Sequence, residues 1–217
     1  MINQDEPSTR DRLVGAALQL FAEKGYAATS IAEVLRAADA NSGSLYYFFP
    51  AKQDLLLAVL DAYRQGIGPM LLEPAWRDVP DPVERIFALL ARYRQALDAS
   101  RCTYGCPIGS LALELHEPDP AVREALAANF TAWVDAIVGC LTQARDRLPA
   151  DVDVRGLAEL VLTVMEGGVM LARTQRDIAC FDRAVAQLRE HFAALVHPAA
   201  TSPSPRAPRT GARKERP

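Results

Sequence analysis

Residues 29–56 read TSIAEVLRAADANSGSLYYFFPAKQDLL, and this stretch decides the fold. Ser30-Ile31-Ala32-Glu33 has the form of a capping box, in which the serine hydroxyl takes an amide three residues on and the glutamate reaches back. It opens a helix with Ile31, Val34 and Leu35 on its apolar side, followed by Ala37 and Ala38. The helix must break near Asp39. Asn41 is then a strong N-cap for a short helix carrying Ser42, Gly43, Ser44, Leu45, Tyr46 and Tyr47. Pro50 ends that piece, and a further helix begins at Lys52 with Leu55, Leu56, Val59, Leu60 and Tyr63 inside. Two short helices around a turn of about three residues, flanked by helices on both sides, constitute a helix-turn-helix pattern.

Working outward, Leu13, Ala16, Ala17, Leu20 and Phe21 form one apolar stripe over residues 9–24, which Gly25 terminates. After Gly66 and Gly68-Pro69 the chain is expected to form a loop rich in proline (Pro74, Pro80, Pro82). A helix over 82–99 follows, with Ile86, Leu89, Leu90, Tyr93 and Leu97 on one face. Gly105, Pro107 and Gly109 interrupt the chain before a short helix near 111–115. Pro118-Asp119-Pro120 opens a long helix to about 147, and two more are expected over 154–174 and 182–196. The reading is all-α: a helix-turn-helix domain over 1–66, a larger helical domain over 67–197, and a disordered basic tail over 198–217.

Half of the 217 residues are hydrophobic and 24% are charged, enough to build a sizeable core. Leu and Ala dominate and aromatics make up only 7%, which favours helices. No run of about 18 uncharged apolar residues suggests a membrane span, and the polar, acidic start lacks the apolar stretch of a signal peptide. The expectation is a cytoplasmic protein with no membrane partner. Cys102, Cys106, Cys140 and Cys180 are too few and too spread for a disulfide scaffold, so they read as thiols. His116, His191 and His197 lie far from them, so no metal site is expected. A glycine-rich phosphate loop and a serine nucleophile elbow are missing, which argues against an enzyme and gives no reason to expect a cofactor. The net charge of −3, with more acids than bases in residues 1–66, does not favour nucleic acid, so that inference rests on the local pattern.

The ordered string Thr29-Ser30-Ile31-Ala32-Glu33-Val34, then Gly43 to Lys52, then Leu55-Leu56, closely resembles the DNA-binding domain of the tetracycline-repressor (TetR) family. Its most specific part is Leu45-Tyr46-x-x-Phe49-x-x-Lys52-x-x-Leu55. The resemblance implies a dimeric regulator that binds a palindromic double-stranded operator, works as a repressor, and is released by a small-molecule effector. Residues 41–48 would form the recognition helix. Asn41, Ser42, Gly43, Ser44, Tyr46 and Tyr47 would lie at the duplex, while Thr29, Ser30 and Lys52 would meet phosphates. Leu45, Phe49, Leu55 and Phe21 read as core. The turn departs from the family's usual Gly-Val with Asp39 and Ala40; Asp tolerates the left-handed conformation at about 1 kcal/mol of strain. Leu35 replaces a small residue and Ala40 a larger one, a pair that compensates in volume. Phe48 stands where a hydrogen-bonding aromatic is common, and Ala51 is a poor N-cap, costing roughly 1 kcal/mol.

In the C-terminal half the resemblance implies architecture and little chemistry. The last two helices would pair with their copies in a four-helix homodimer interface, with Leu157, Leu160, Val161, Val164, Ala184, Leu188 and Phe192 as candidates. Gly167-Gly168 would allow close helix approach. A ligand pocket is expected between the helix from Pro82, the broken segment 102–115 and the long helix to 147. Its candidate linings are Tyr93, Tyr104, Cys106, Leu111, Phe130, Trp133, Ile137, Met165 and Met170, each of which core packing also explains. Glu114, Asn129, Glu166 and Arg173 are the polar candidates. Gly105-Cys106-Pro107-Ile108-Gly109 resembles a stretch of a TetR subgroup that includes electrophile sensors. A thiol at a helix start can react as thiolate, so thiol sensing through Cys106 is an alternative, as is a helical adaptor that no longer reads DNA. Coupling is expected through the helix from Lys52 to Tyr63. Arg206, Arg209, Arg213, Lys214 and Arg216 would add phosphate attraction from the tail.

Overall fold

The computed structural model describes residues 7–196, and every regular element among them is helical. Helix α1 (Thr9–Lys24) begins where the Ser8 hydroxyl accepts the Asp11 amide, and it ends at Gly25, whose φ of +87° suits glycine alone. Helices α2 (Ile31–Ala37) and α3 (Ser42–Phe48) cross at the turn, where Asp39 adopts a φ of +46°, the left-handed conformation expected of it. The turn is closed by the Ala40 amide donating to the Leu35 carbonyl at 3.0 Å. Arg12 of α1 donates its Nε to the Ala38 carbonyl at 3.1 Å, satisfying one of α2's terminal acceptors. Helix α4 (Lys52–Ile67) completes this end. Leu13, Ala17, Phe21, Val34, Leu45, Phe49, Leu55, Leu56, Val59 and Leu60 are all buried together.

The proline-rich loop expected after Gly66 is not a loop. Gly68–Leu72 continues α4 as a π-turn, and α5 (Glu73–Trp76) follows in the same helical run. Pro69 and Pro74 have no amide to give, and at this point the Glu73 amide bonds to Gly68, five residues back. Widening the ring lets a helix pass a proline that would otherwise end it. The junction at residues 66–67 therefore lies inside a helix. The remaining elements are α6 (Pro82–Ala99), α7 (Pro107–Glu114), α8 (Pro120–Gln143), a 3₁₀ turn (Arg145–Arg147), α9 (Val154–Gln175) and α10 (Ala179–Leu195). Helix α7 starts four residues earlier than the spacing predicts, because Pro107 sits at its N1 position, where the missing amide is no loss. The tail over 198–217 lies outside the described residues.

Helices α6, α8, α9 and α10 enclose the second core, with Ile86, Leu90, Ile137, Leu141, Val161, Met165, Phe181 and Phe192 inside. Leu157, Val161, Leu188 and Phe192, expected on the dimer face, are buried here within the protomer. The side of α9 away from this core carries Leu160, Met170 and Leu171, each at least 40% exposed. Gly168 faces Phe181, and a Cβ on it would lie 3.0 Å from the ring, so this glycine permits the close α9–α10 approach. The stretch Lys52–Trp76 and helix α8 are each long and apolar enough to cross a membrane by length and composition alone. They pack on one another instead, with Leu56, Leu60, Val122 and Leu126 in one buried cluster.

Candidate functional site

At the N-terminal end the short helices are held by local caps that leave one face of α3 free. The Ser30 Oγ accepts the Glu33 amide at 3.2 Å and Glu33 Oε2 accepts the Ser30 amide at 2.8 Å, closing the capping box. Lys24 pairs with Glu33 at 2.5 Å, and chiefly through this contact the Glu33 carboxyl is lowered to about 2. Asn41 Oδ1 accepts the Ser44 amide at 2.8 Å. With Leu45 and Phe49 facing the core, Asn41, Ser42, Gly43, Tyr46 and Tyr47 face solvent, Tyr47 at 81% exposure, and Ser44 is half-buried. Aromatic side chains exposed in this way, edge to face with Phe48 at 5.0 Å, form a surface suited to a partner.

Two expected phosphate contacts are otherwise engaged. Thr29 is buried, and its hydroxyl donates to the Gly25 carbonyl at 2.7 Å, with the Leu20 carbonyl a longer second acceptor at 3.3 Å. Lys52 donates to the Tyr26 carbonyl at 2.5 Å, and its ammonium lies 4.3 Å from the Tyr26 ring centroid. It ties α4 to the α1–α2 turn, and partial burial lowers its pKa. Ala51 gives α4 no side-chain cap, but Asp54 Oδ2 accepts the Ala51 amide at 2.8 Å, supplying half of the missing box.

A cavity of about 710 Å³ lies between α7, α8 and α9. Cys106, Phe130 and Met170 line it, as expected. Tyr93, Leu111, Trp133, Ile137 and Met165 do not: they fill the cores, with Tyr93 packed on Trp133 at 5.5 Å between centroids. Tyr104 is half exposed outside it. The expected wall from α6 is replaced by α9, which contributes Leu162, Thr163, Glu166, Gly167, Val169, Arg173 and Thr174. Helix α7 supplies Gly109, Ser110, Ala112 and Leu113, and Thr103 and Arg176 close one end. Of these, only Glu166 and Arg173 had a sequence signal, as charges within an apolar helix pattern. Ser110, Leu113, Leu162 and Arg176 had none.

Where α7 begins, Glu166 and Arg173 reach across from α9. A Cβ at Gly109 would collide with Glu166 Oε2, and one at Gly105 would lie 2.6 Å from Arg173 Cδ, so both glycines make room for a charged side chain. Arg173 Nη1 donates to Ser110 Oγ at 3.0 Å. Glu166 Oε1 is buried with no hydrogen-bond partner, and burial raises the Glu166 pKa. Cys106 is the N-cap of α7, its sulfur accepting the Gly109 amide at 3.5 Å. Burial, and then the neighbouring Glu166 carboxyl, push its thiol up to about 12. A buried, protonated thiol is a poor nucleophile, so this geometry does not supply the thiolate that electrophile sensing through Cys106 needs.

The far end of α7 touches the N-terminal helix-turn-helix. Glu114, its last residue, accepts the Tyr26 amide at 2.9 Å and the Ala27 amide at 2.6 Å, in the turn that precedes α2. Asn129 of α8, buried, donates to the Leu60 carbonyl of α4 at 3.0 Å. Both residues, polar candidates for the pocket, serve the junction between the halves.

Family models match both halves. The one for bacterial regulatory proteins of the tetR family covers residues 13–59, and the one for the C-terminal domain of LmrA/YxaF-like transcriptional regulators covers 82–187. An uncharacterised HTH-type transcriptional regulator of Mycobacterium tuberculosis is 33% identical over 189 residues, 83% of this chain and 92% of that one. Transcriptional regulator AcuR of Cereibacter sphaeroides is 30% identical over 176 residues, 79% of each chain. Among solved structures, the regulatory protein TetR from Rhodobacter sphaeroides aligns with a TM-score of 0.76 at 26% identity, over 84% of this chain and 98% of that one. With its helix-turn-helix matched at one end and its helical domain at the other, the chain belongs to the TetR family of transcriptional regulators, which are not enzymes.

Proposed function

We propose that this regulator is a cytoplasmic, ligand-responsive repressor that binds a palindromic operator as a homodimer and is released when a small molecule enters the α7–α9 cavity. The observation that carries the reading is helix α7 itself. Its first turns line the cavity, and its last residue, Glu114, holds the turn before α2 by two amide hydrogen bonds. A ligand that displaces α7 would therefore act on the DNA-binding helices directly, with Asn129 offering a second link through α4. The expected domain division near residue 66 becomes, on this reading, a shared seam: Cys106, Ile108 and Leu111 of α7 pack in the same buried cluster as Phe21 and Leu56. The exposed Leu160 and Leu171 of α9 support pairing through that helix face. Asn41, Ser42, Gly43, Ser44, Tyr46 and Tyr47 would face the major groove and Ser30 a phosphate, with no such contact required of Thr29 or Lys52.

The ligand's effect is a population shift toward a dimer whose recognition helices no longer fit successive major grooves, about 34 Å apart. The test is a titration of the purified chain against the DNA flanking its own gene, with excess non-specific DNA. Selective binding at about 10⁻⁸ M or tighter by a dimer is expected. Binding no tighter than to the competitor there and across genomic fragments would sink the operator reading. Glu114→Gln weakens the link, since a neutral amide oxygen accepts a backbone N–H less strongly than a carboxylate. It should lower the ratio of operator affinities without and with ligand by roughly threefold; an unchanged ratio removes α7 from the route.

A further inference from the structure

We propose that the cavity takes an amphiphilic carboxylic acid, its carboxylate held by Arg173 and Arg176 and its apolar body laid on Phe130, Leu162, Val169 and Met170. This rests on the reading of the cavity as the effector site. The argument starts from charge. Three lining residues are charged, Glu166, Arg173 and Arg176, and none of them forms an ion pair among the described residues. Arg173 uses one nitrogen on Ser110 Oγ, and Arg176 uses one on the Cys102 carbonyl and Thr103 Oγ1. A guanidinium carries five N–H donors in a planar fork, so each has donors left in the geometry that meets a carboxylate.

The acid in the cavity does not reverse this balance. Glu166 lies seven residues before Arg173 on α9, about 10 Å along the helix. Its buried Oε1 has no donor, and burial favours its neutral form. One carboxyl faces two guanidiniums, so the lining as a whole favours an anion, and the carboxyl can hydrogen-bond a polar group at the ligand's far end. A cationic ligand would meet two guanidiniums against the single Glu166 carboxyl, and Phe130 is the one aromatic in the lining that could offer it a ring face. The space of about 710 Å³ suits a small organic molecule, and the surface between the polar ends is apolar. Gly105, which a side chain would close against Arg173, keeps the guanidinium in place.

Three probes with one body and different heads test this: decanoate, decanol and decylammonium, titrated calorimetrically into the full chain. Decanoate should bind at least about tenfold tighter than either of the others. Arg173→Gln should abolish that preference and Arg173→Lys should keep part of it, with melting followed by circular dichroism to confirm that both fold. Equal or tighter binding of decanol or decylammonium, a preference that survives Arg173→Gln, or no decanoate binding below about 1 mM would each overturn the proposal. A parallel operator titration separates the two readings. Arginine-dependent decanoate binding that leaves operator affinity unchanged supports the carboxylate site and overturns the release mechanism. Operator release by decanol as effective as by decanoate keeps the mechanism and overturns the carboxylate site.

Discussion

In the α2–α3 pair, the capping side chains are answered from nearby in the chain; in the cavity, the charged side chains are answered from far away or not at all. Ser30 and Glu33 bond each other across three residues, as do Asn41 and Ser44. Arg173 finds Ser110 at a separation of 63 residues, Arg176 finds Cys102 at 74, and Glu166 Oε1 finds nothing. The first region is a rigid surface built to present side chains outward. The second holds charged groups poised inward, which is what a binding site requires and a stability-driven core avoids. Between them, α7 is local at its start, capped by its own Cys106, and long-range at its end, where Glu114 meets residues 26 and 27.

The largest effect that would break this comparison is expected at the contact between the two regions. Gly25→Ala forces a side chain into a φ of +87° and places its Cβ 2.7 Å from Glu114 Oε2, so it should cost about 3 kcal/mol in urea unfolding. A loss below about 1 kcal/mol would mean that the seam yields easily. Tyr47→Ala should weaken operator binding roughly tenfold while leaving the melting temperature unchanged, since the ring is exposed. A fall in stability with no loss of binding would make Tyr47 structural. Asn41→Ala removes the α3 cap and should lower stability by about 1 kcal/mol in the same unfolding assay. Equal stability would show that water replaces the cap.

The smallest effect sharpens the contrast through two glutamates with opposite pH behaviour. Glu33, lowered to about 2 chiefly by Lys24, contributes stability that is present above about pH 4.5 and lost as pH falls toward 2. Glu166 is raised by burial, so it destabilises progressively as pH climbs above its unfolded pKa, about 4.3. Glu33→Gln should therefore flatten the acid limb of a stability–pH curve, and Glu166→Gln should raise stability at pH 7 relative to pH 4. Identical pH profiles for Glu166→Gln and the parent chain would mean that this carboxyl is ionised and solvated in the fold.

Cap chemistry made the N-terminal end readable, because its partners are three or four residues apart and the apolar spacing of Leu45 and Phe49 points inward by helix geometry. The same logic located Asp39 in a left-handed turn. It misled where a local signal had a distant resolution. Pro69 and Pro74 read as a loop and became a π-turn, while Thr29 and Lys52 read as phosphate ligands and turned toward carbonyls of their own domain. For the cavity, Cys106, Phe130 and Met170 line the space while the other expected apolar residues do not, because nothing in a periodic stripe distinguishes a residue facing a void from one facing a neighbour. Met165 and Met170 share α9, yet one is buried in the core and the other lines the space.

By itself the sequence determined the order of the helix-turn-helix and the caps of α2 and α3, since these depend on interactions within one or two turns of chain. Only the tertiary structure decided that α9 rather than α6 walls the cavity, that Glu166 Oε1 is buried without a partner, and that Glu114 grips the turn before α2. Those facts follow from which helix faces meet across separations of some 60 to 90 residues, and no local pattern encodes that meeting.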